Sequence, residues 1–528
     1  MKKTFSLVLL FLSATLSLSA AQHEKDPESC TSIMVGKQAS TDGSVITSHT
    51  CDSWYRTWVT MTPAADYERD TVMNIYDGRM HTEFANDETG MTVKGQIPQV
   101  KHTYKYLDTA YPCMNEKQLA MGETTISGRR ELVNKKGMFM IEELQRVAMQ
   151  RCTTAREAIK LMGELVKKYG YGDSGECLTI ADPKEVWHFE VFGEGPEKIG
   201  GVWAAVRIPD DQVGVSANIP RISTLNLKDK DHYMASDNVF DVAKKLGYWD
   251  GKETFKFWKA YGGGKKAYSV RELFILSTLA PSLGLTDELE ELPFTVKPEQ
   301  KVSAAKVMEY LRSYYEGTDQ DITKNLYVEV KDRRTGVVTD TILSPKANPW
   351  MRPEEIAMLN AVGHEPLVKQ IRNIAVPQCA YSTVIQCRDW LPDAVGGLVW
   401  FLIDNPGQSP RIPIFCGATD VPESFKICGN HRYREDAACW RYRRANKLAA
   451  LRWGVNRKVL EKYRDHFEAK GFAEVPGVEA RYQELVKTVG VEAASEYLND
   501  YAADFAGATF LRWDEMYQQF WNENHFGL

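Results

Sequence analysis

The spacing of apolar and polar positions changes several times along the chain, and each change marks an element. An apolar run, Thr4–Leu16, follows two lysines, and a short segment from Gln22 to Ser29 is then too charged to pack in a core. At Cys30 the pattern turns abruptly strand-like. Cys30–Gly36 and Ser44–His49 predict two strands joined through a turn containing Asp42-Gly43, a hairpin that sets Cys30 at the free end of a sheet. Helical spacing takes over at 137–152 and 154–169. The second of these opens on Thr154-Ala-Arg-Glu157, a capping-box pattern, carries Ile159, Met162 and Val166 on one face and stops at Gly170. Strand patterns return at Cys177–Ala181, Val186–Phe192, Val202–Ile208 and Val213–Ala217, with a turn at Asp182-Pro183-Lys184. Helices are expected at about 269–280 and 303–316, another strand pair at Ala380–Cys387 and Gly397–Ile403, and a long helical tail from about Glu435 onward.

Strands grouped with strands and helices with helices predict α+β layers rather than alternating βαβ units. Neither an internal repeat nor a low-complexity linker divides the chain, and its 528 residues suit one large domain or two smaller ones. The Pro- and Gly-containing stretches near 262–264, 345–353 and 404–413 read as surface loops. Gly262-Gly-Gly-Lys-Lys266 lacks both the spacing of a phosphate loop and a strand leading into it.

Composition narrows the class. Residues 1–21 have the three parts of a secretory signal peptide: Lys2 and Lys3, the apolar run, and Ser19-Ala20-Ala21 at a cleavage site. Export to the periplasm or the extracellular space is therefore expected. The net charge is -6, and it stays there without residues 1–29, because Lys2, Lys3 and Lys25 balance Glu24, Asp26 and Glu28. A mildly acidic chain with scattered charge offers nucleic acid no footing. Beyond the leader no segment approaches ~18 uninterrupted apolar residues, so no membrane span is expected. Nothing in the composition opposes a homo-oligomer.

All ten cysteines (30, 51, 113, 152, 177, 379, 387, 416, 428 and 439) lie beyond the leader. An oxidising compartment permits disulfides, but if Cys30 stays free, nine remain and at least one cannot pair internally. Spacing does not give the connectivity. With no C-x-x-C, H-E-x-x-H or comparable cluster, neither a metal nor an organic cofactor is implied.

Cys30 carries the candidate chemistry. A removable octapeptide, 22–29, ending at a cysteine that opens a strand suggests a nucleophile made by proteolysis. Cleavage of the Ser29–Cys30 bond would give one residue both a thiol and a free α-amino group. That amine, with an ordinary pKa near 8, can act as base for its own side chain.

The residues from Cys30-Thr-Ser-Ile-Met-Val-Gly36 to Asp42-Gly-Ser-Val45 resemble the mature start of the C69 peptidases. These are the dipeptidase A and secernin group of the N-terminal-nucleophile hydrolases, relatives of penicillin V acylase and bile salt hydrolase. The likeness continues in order through Leu178-Thr-Ile-Ala-Asp-Pro-Lys-Glu-Val-Trp187, Arg207-Ile-Pro-Asp-Asp211 and Val215-Ser-Ala-Asn218. It extends to Ser269-Val-Arg-Glu-Leu273, Gln386-Cys-Arg-Asp-Trp-Leu-Pro392 and Gly396-Gly-Leu-Val-Trp400. The resemblance implies an αββα four-layer sandwich over 30–434 with a helical extension over 435–528, and hydrolysis of peptide bonds, above all in dipeptides.

It also implies roles. Cys30 would attack the scissile carbonyl, and Asp52 would hold its amine or orient the substrate. Asn218 would donate its side-chain amide to the oxyanion, a contribution of ~3 kcal/mol when well aimed. Glu123 would bind the α-ammonium of a dipeptide, which an acylase substrate lacks, and Arg271 matches an arginine near the nucleophile. Relatives carry Arg or Lys shortly before the aspartate; here His49 stands in that basic position of Ser48-His-Thr-Cys-Asp52.

Three other readings are open to the sequence. An acyl-amide hydrolase of the penicillin V acylase or bile salt hydrolase type would share Cys30, Asp52 and Asn218. A non-enzymatic, disulfide-stabilised surface binding protein would pair Cys30 or dispense with it. A trypsin-like pair of Ser174 and His49 rests on four-residue matches, and Glu176-Cys177 follows Gly175 where that pattern needs Gly-Pro.

Overall fold

A computed structural model describes residues 30–85, 87–362 and 365–524. The expected signal peptide and octapeptide lie outside them. The first hairpin forms as its residues predict. Ser32–Val35 pairs antiparallel with Val45–Asp52, meeting at Val35 and Ile46, and Thr31 bridges to Thr50 beyond the strand end. Cys30 therefore stands at the open end of the pair. This hairpin is the middle of a seven-stranded antiparallel sheet. Its order runs Thr295–Val296, Val213–Ser216, Ser32–Val35, Val45–Asp52, Cys379–Cys387, Leu398–Ile403, Ile412–Phe415.

A second antiparallel sheet of eight strands lies against it. Its centre is Ala120–Thr125, Glu176–Ala181, Val186–Gly193 and Gly201–Arg207, paired in that order. The two sheets meet where Val45–Asp52 crosses Ala120–Thr125. The seam between them is unusually polar: Thr47 bonds Thr179 at 2.6 Å, Thr124 bonds Ser216 at 2.5 Å, and Ser32 Oγ donates to the Glu123 carbonyl at 3.2 Å. Gly122 is required at this crossing, because a Cβ there would sit 2.3 Å from the Ser48 carbonyl oxygen.

Helices cover the outer faces. Ile141–Arg151 and Ala155–Tyr169 pack beside the eight-stranded sheet, and Val270–Leu279 and Ala304–Leu311 beside the seven-stranded one. Ile159, Met162 and Val166 are buried, and Gly170 ends their helix at φ +83°. The capping box is half made. Thr154 accepts from the Glu157 N–H, but the Glu157 carboxylate turns to Thr153. The preceding helix starts at Ile141 rather than 137, because Met138 and Phe139 donate their backbone N–H groups to Tyr169 and Gly170 instead.

The tail forms three helices, Ala438–Leu451, Trp453–Thr488 and Val491–Glu523. Their apolar residues, Leu460, Phe467, Phe505 and Trp513 among them, join the same core as the inner strands. This corrects the expectation for 404–413. Asp404, Asn405, Gln408, Ser409 and Arg411 are buried, since the tail closes over them, and Ile412 already starts an edge strand. Their polar groups are spent on the tail: Asp404 accepts from Arg443 and Asn446, and Gln408 donates to the Asn446 carbonyl.

Trp513 is fully buried and donates its indole N–H to Asn446. Trp513→Ala should cost about 3–5 kcal/mol, visible as a lowered midpoint in urea denaturation. A loss below ~1 kcal/mol would mean that the tail packs independently of the sheets.

Candidate active site

The site grows from the end of the first strand. Thr31 is clamped to the neighbouring strand by two bonds: its N–H donates to Thr50 Oγ1 at 2.9 Å and its carbonyl accepts from the Thr50 N–H at 3.0 Å. The chain is thus held rigid up to Cys30. The backbone nitrogen of Cys30 donates to Asn218 Oδ1 at 2.9 Å. Asn218 follows the strand Val213–Ser216 and takes a left-handed backbone, φ +65°, which asparagine tolerates better than most residues. Its amide N–H donates to the Thr125 carbonyl at 2.6 Å. The side chain that the resemblance assigned to an oxyanion is therefore engaged at both ends, with its oxygen on Cys30 and its nitrogen on the second sheet.

Arg271 completes the frame. Ser269 caps its helix with Glu272 in a full capping box, and this sets Arg271 in the first turn, facing inward. One guanidinium nitrogen donates to the Cys30 carbonyl at 2.7 Å and to Thr31 Oγ1 at 3.0 Å. Another donates to the Ala217 carbonyl at 3.0 Å and to Asn218 Oδ1 at 2.7 Å. The Glu272 carboxylate accepts from the Ala217 N–H, so the capping box also holds the turn that carries Asn218. Burial, and then the like charge of Arg372, lower the Arg271 pKa to about 10, which leaves it charged at neutral pH.

The thiol points to other partners. Cys30 Sγ, a His49 nitrogen and a Glu123 carboxylate oxygen lie within 4.8 Å of one another, all buried. His49 Nε2 is 3.4 Å from Glu123 Oε2, and its ring stands edge-on between Tyr111 and Tyr381. Glu123 belongs to the second sheet, so the seam of hydroxyls brings it here. Burial pushes the Cys30 thiol well above its ordinary value, and the negative charges of Glu123, Cys51 and Asp52 push it further; a bond involving the Asp52 backbone opposes them. The resting group is a thiol, and attack needs a base at hand.

Asp52 lies just behind. Its Oδ2 accepts from Thr50 Oγ1 and from Arg372, both at 2.8 Å. Arg372 supplies a cation beside the aspartate, while His49, in the basic position that precedes it in sequence, lies near the thiol and Glu123. Of the six residues singled out from sequence, the structure brings the other five (His49, Asp52, Glu123, Asn218 and Arg271) around Cys30. Those that sequence reading missed are Thr31, Thr50, Tyr111, Arg372, Tyr381 and Glu272. Only Glu272 left a trace there, in the Ser269-x-x-Glu272 spacing. Ser174 does not belong to the group; its N–H bonds the neighbouring Asp173 carboxylate. None of the ten cysteines is in a disulfide, and all are buried.

The loop after Asn218 is fixed from below. Glu190 Oε1 accepts from the backbone N–H groups of Arg221 and Ile222 and pairs with His188 Nε2 at 2.8 Å. Burial alone would lower the His188 pKa, but Cys177 and Glu190 outweigh it and raise it to about 10. A raised histidine stabilises the fold fully below its unfolded value, near 6.5. That stability is lost as pH climbs through 6.5 toward 10. Denaturation of wild type and His188→Gln should therefore converge at alkaline pH and diverge below pH 6.5, with wild type the more stable. A constant gap across this window would refute a charged His188.

Comparison with known proteins places these residues in a family. The model of peptidase family C69 matches residues 29–466. A probable dipeptidase of Latilactobacillus sakei is 26% identical over 416 residues, which covers 75% of this chain and 76% of that protein. One of Salmonella dublin is 26% identical over 409 residues, 74% of this chain and 81% of the relative. A probable dipeptidase B of Streptococcus pyogenes serotype M1 is 21% identical over 538 residues and spans 97% of this chain and 95% of its own, helical tail included.

Proposed function

The chain belongs to peptidase family C69 and is a peptidase, and on that premise we propose that it is a secreted, self-processing dipeptidase whose nucleophile is the N-terminal thiol of Cys30. The observation that carries the proposal is the separate handling of the two functional groups of Cys30. The backbone nitrogen is held on Asn218 Oδ1 at 2.9 Å, while the thiol is turned toward His49 and Glu123. An enzyme that uses one residue as nucleophile and base needs that division. The two stacked sheets with helices outside are read as the αββα sandwich of the N-terminal-nucleophile hydrolases. The leader pattern of residues 1–21 supports export to the periplasm or beyond.

The mechanism follows from the contacts. Once the Ser29–Cys30 bond is cut, the Cys30 amine takes the thiol proton as sulfur attacks the scissile carbonyl. The tetrahedral intermediate collapses to a thioester, and the amine returns the proton to the departing amino acid. Water, deprotonated by the same amine, then attacks the thioester carbonyl; the C–S bond breaks, the acyl half leaves as the free acid, and the amine returns the proton to the Cys30 sulfur. Asn218 and Arg271 hold the Cys30 backbone still through both steps, because the guanidinium grips the carbonyl and the amide oxygen grips the nitrogen. An oxyanion role for Asn218 requires its N–H to exchange the Thr125 carbonyl for the substrate oxygen.

Glu123 decides the substrate class. The α-ammonium of a dipeptide lies one carbon from the scissile carbonyl, so a carboxylate beside Cys30 Sγ is within reach of it. An N-acylated substrate has no charge to offer there. The disulfide-stabilised binding protein would pair Cys30 or dispense with it; the free thiol counts against the pairing, and the variant Cys30→Ala tests whether the residue is dispensable.

The intact mass and N-terminal sequence should show a chain starting at Cys30, with Cys30→Ala retaining residues 22–29. An active wild-type chain starting at Gln22 would end the N-terminal-nucleophile reading. Glu123→Gln should raise KM for free dipeptides roughly 10–100-fold, the worth of one hydrogen bond to a charged group, and leave N-acetylated analogues unchanged. Equal loss on both substrates would remove Glu123 from ammonium recognition, and faster turnover of N-acyl amides than of dipeptides would favour an acylase.

A further inference from the structure

We propose that Cys30, His49 and Glu123 together form a binding site for a zinc-type divalent transition metal, and that filling it silences the nucleophile. One ligand atom from each residue lies within 4.8 Å of the other two, all fully buried. A tetrahedral shell with bonds of ~2.0–2.3 Å has ligand–ligand edges of roughly 3.3–3.8 Å. Closing the set takes about 1 Å, a side-chain rotation rather than a backbone shift. The donors are one sulfur, one imidazole nitrogen and one carboxylate oxygen, which suit zinc, cobalt or copper and not magnesium or calcium.

The state of these donors gives the second argument. Both ring nitrogens of His49 and Glu123 Oε2 are buried and make no well-formed hydrogen bond among the described residues; Nε2 and Oε2 face each other at a long 3.4 Å, and Nδ1 has no acceptor. The rings of Tyr111 and Tyr381 flank the imidazole with their edges or faces and offer it no acceptor. Elsewhere the buried histidine His188 is engaged by Glu190 and Cys177. A buried imidazole and carboxylate that meet only through one long contact are a costly arrangement that a cation relieves.

Binding is a simple exchange. The S–H bond of Cys30 breaks, an S–metal bond forms, and one proton leaves to solvent per ion bound. The electron pair that would attack a carbonyl is then committed to the metal, and the imidazole and carboxylate are occupied with it. Three protein ligands leave a fourth position for water. The metal and the substrate ammonium compete for Glu123, so inhibition is competitive. The silencing half of this proposal rests on the peptidase reading; the metal site itself does not.

Cobalt(II) is the probe, titrated into the purified full-length secreted chain. The expected result is one ion per chain with a near-ultraviolet thiolate-to-cobalt absorption that zinc abolishes by displacement. Cys30→Ala should lack that band, and His49→Ala and the isosteric Glu123→Gln should each weaken binding at least 10-fold while far-ultraviolet dichroism stays native. No band in wild type, or an undiminished band in Cys30→Ala, overturns the site. In protein that cleaves dipeptides, the zinc inhibition constant, corrected for substrate, should equal the zinc dissociation constant from cobalt displacement, and a chelator should restore the rate. Full activity with the site filled overturns the silencing. If no dipeptide is cleaved at all, the functional reading fails, and the cobalt titration still decides the site.

Discussion

One buried guanidinium ties the site together. Arg271 reaches the Cys30 carbonyl, Thr31 Oγ1, the Ala217 carbonyl and Asn218 Oδ1 from a single planar fork. Those four acceptors flank the adjoining ends of two neighbouring strands, Ser32–Val35 and Val213–Ser216. An arginine can satisfy them at once because its donors are fixed in one plane, which a lysine ammonium cannot imitate. Taking that charge out of water is expensive, and the oxygens around it offset the cost only while all are in place. The position of Cys30 is therefore coupled to the helix Val270–Leu279 and, through Glu272, to the turn carrying Asn218.

The second constraint is the seam between the sheets. Most stacked sheets meet through interdigitated apolar side chains, about 10 Å apart. Near Cys30 the contact is made instead by Ser32, Thr47, Thr124, Thr179 and Ser216, with Gly122 under the Ser48 carbonyl. Small hydroxyls allow closer approach and, being directional, fix the lateral offset of one sheet on the other. That offset sets Glu123 of the second sheet beside the thiol and His49 of the first. Burial then raises the thiol pKa, and the neighbouring carboxylates raise it further. The site holds its sulfur protonated at rest, so a nucleophilic role for it would need a base at hand.

The described cysteines fit the same economy. Ten thiols are buried in apolar or hydrogen-bonded surroundings, and none is cross-linked. Stability comes from the large core, to which the tail helices contribute Phe467, Phe505, Phe510 and Trp513. The polar stretch Asp404–Arg411 looked like a loop because it is rich in Asp, Asn, Gln, Ser and Pro. It is interior because Arg443, Asn446 and Arg464 of the tail supply its partners.

Local pattern sufficed for elements whose period and caps agree: the first hairpin, the central strands from Glu176 to Ser216, the Thr154-capped helix and the tail. Cys30 at the head of a strand, and the order of motifs behind it, made the peptidase family legible from the chain alone. The short strands Thr60–Thr62, Tyr106–Asp108 and Met114–Asn115 were not legible, because two or three residues carry no period. Nor was the task of each site residue. That Arg372 rather than His49 faces Asp52 follows from a loop arriving some 320 residues later in the chain. That His49 meets Glu123 follows from how two sheets stack. Residue identity and short-range spacing determined the fold class and the candidate nucleophile. Only tertiary structure decided which charges meet, because strand pairing and sheet stacking join positions that spacing along the chain does not relate.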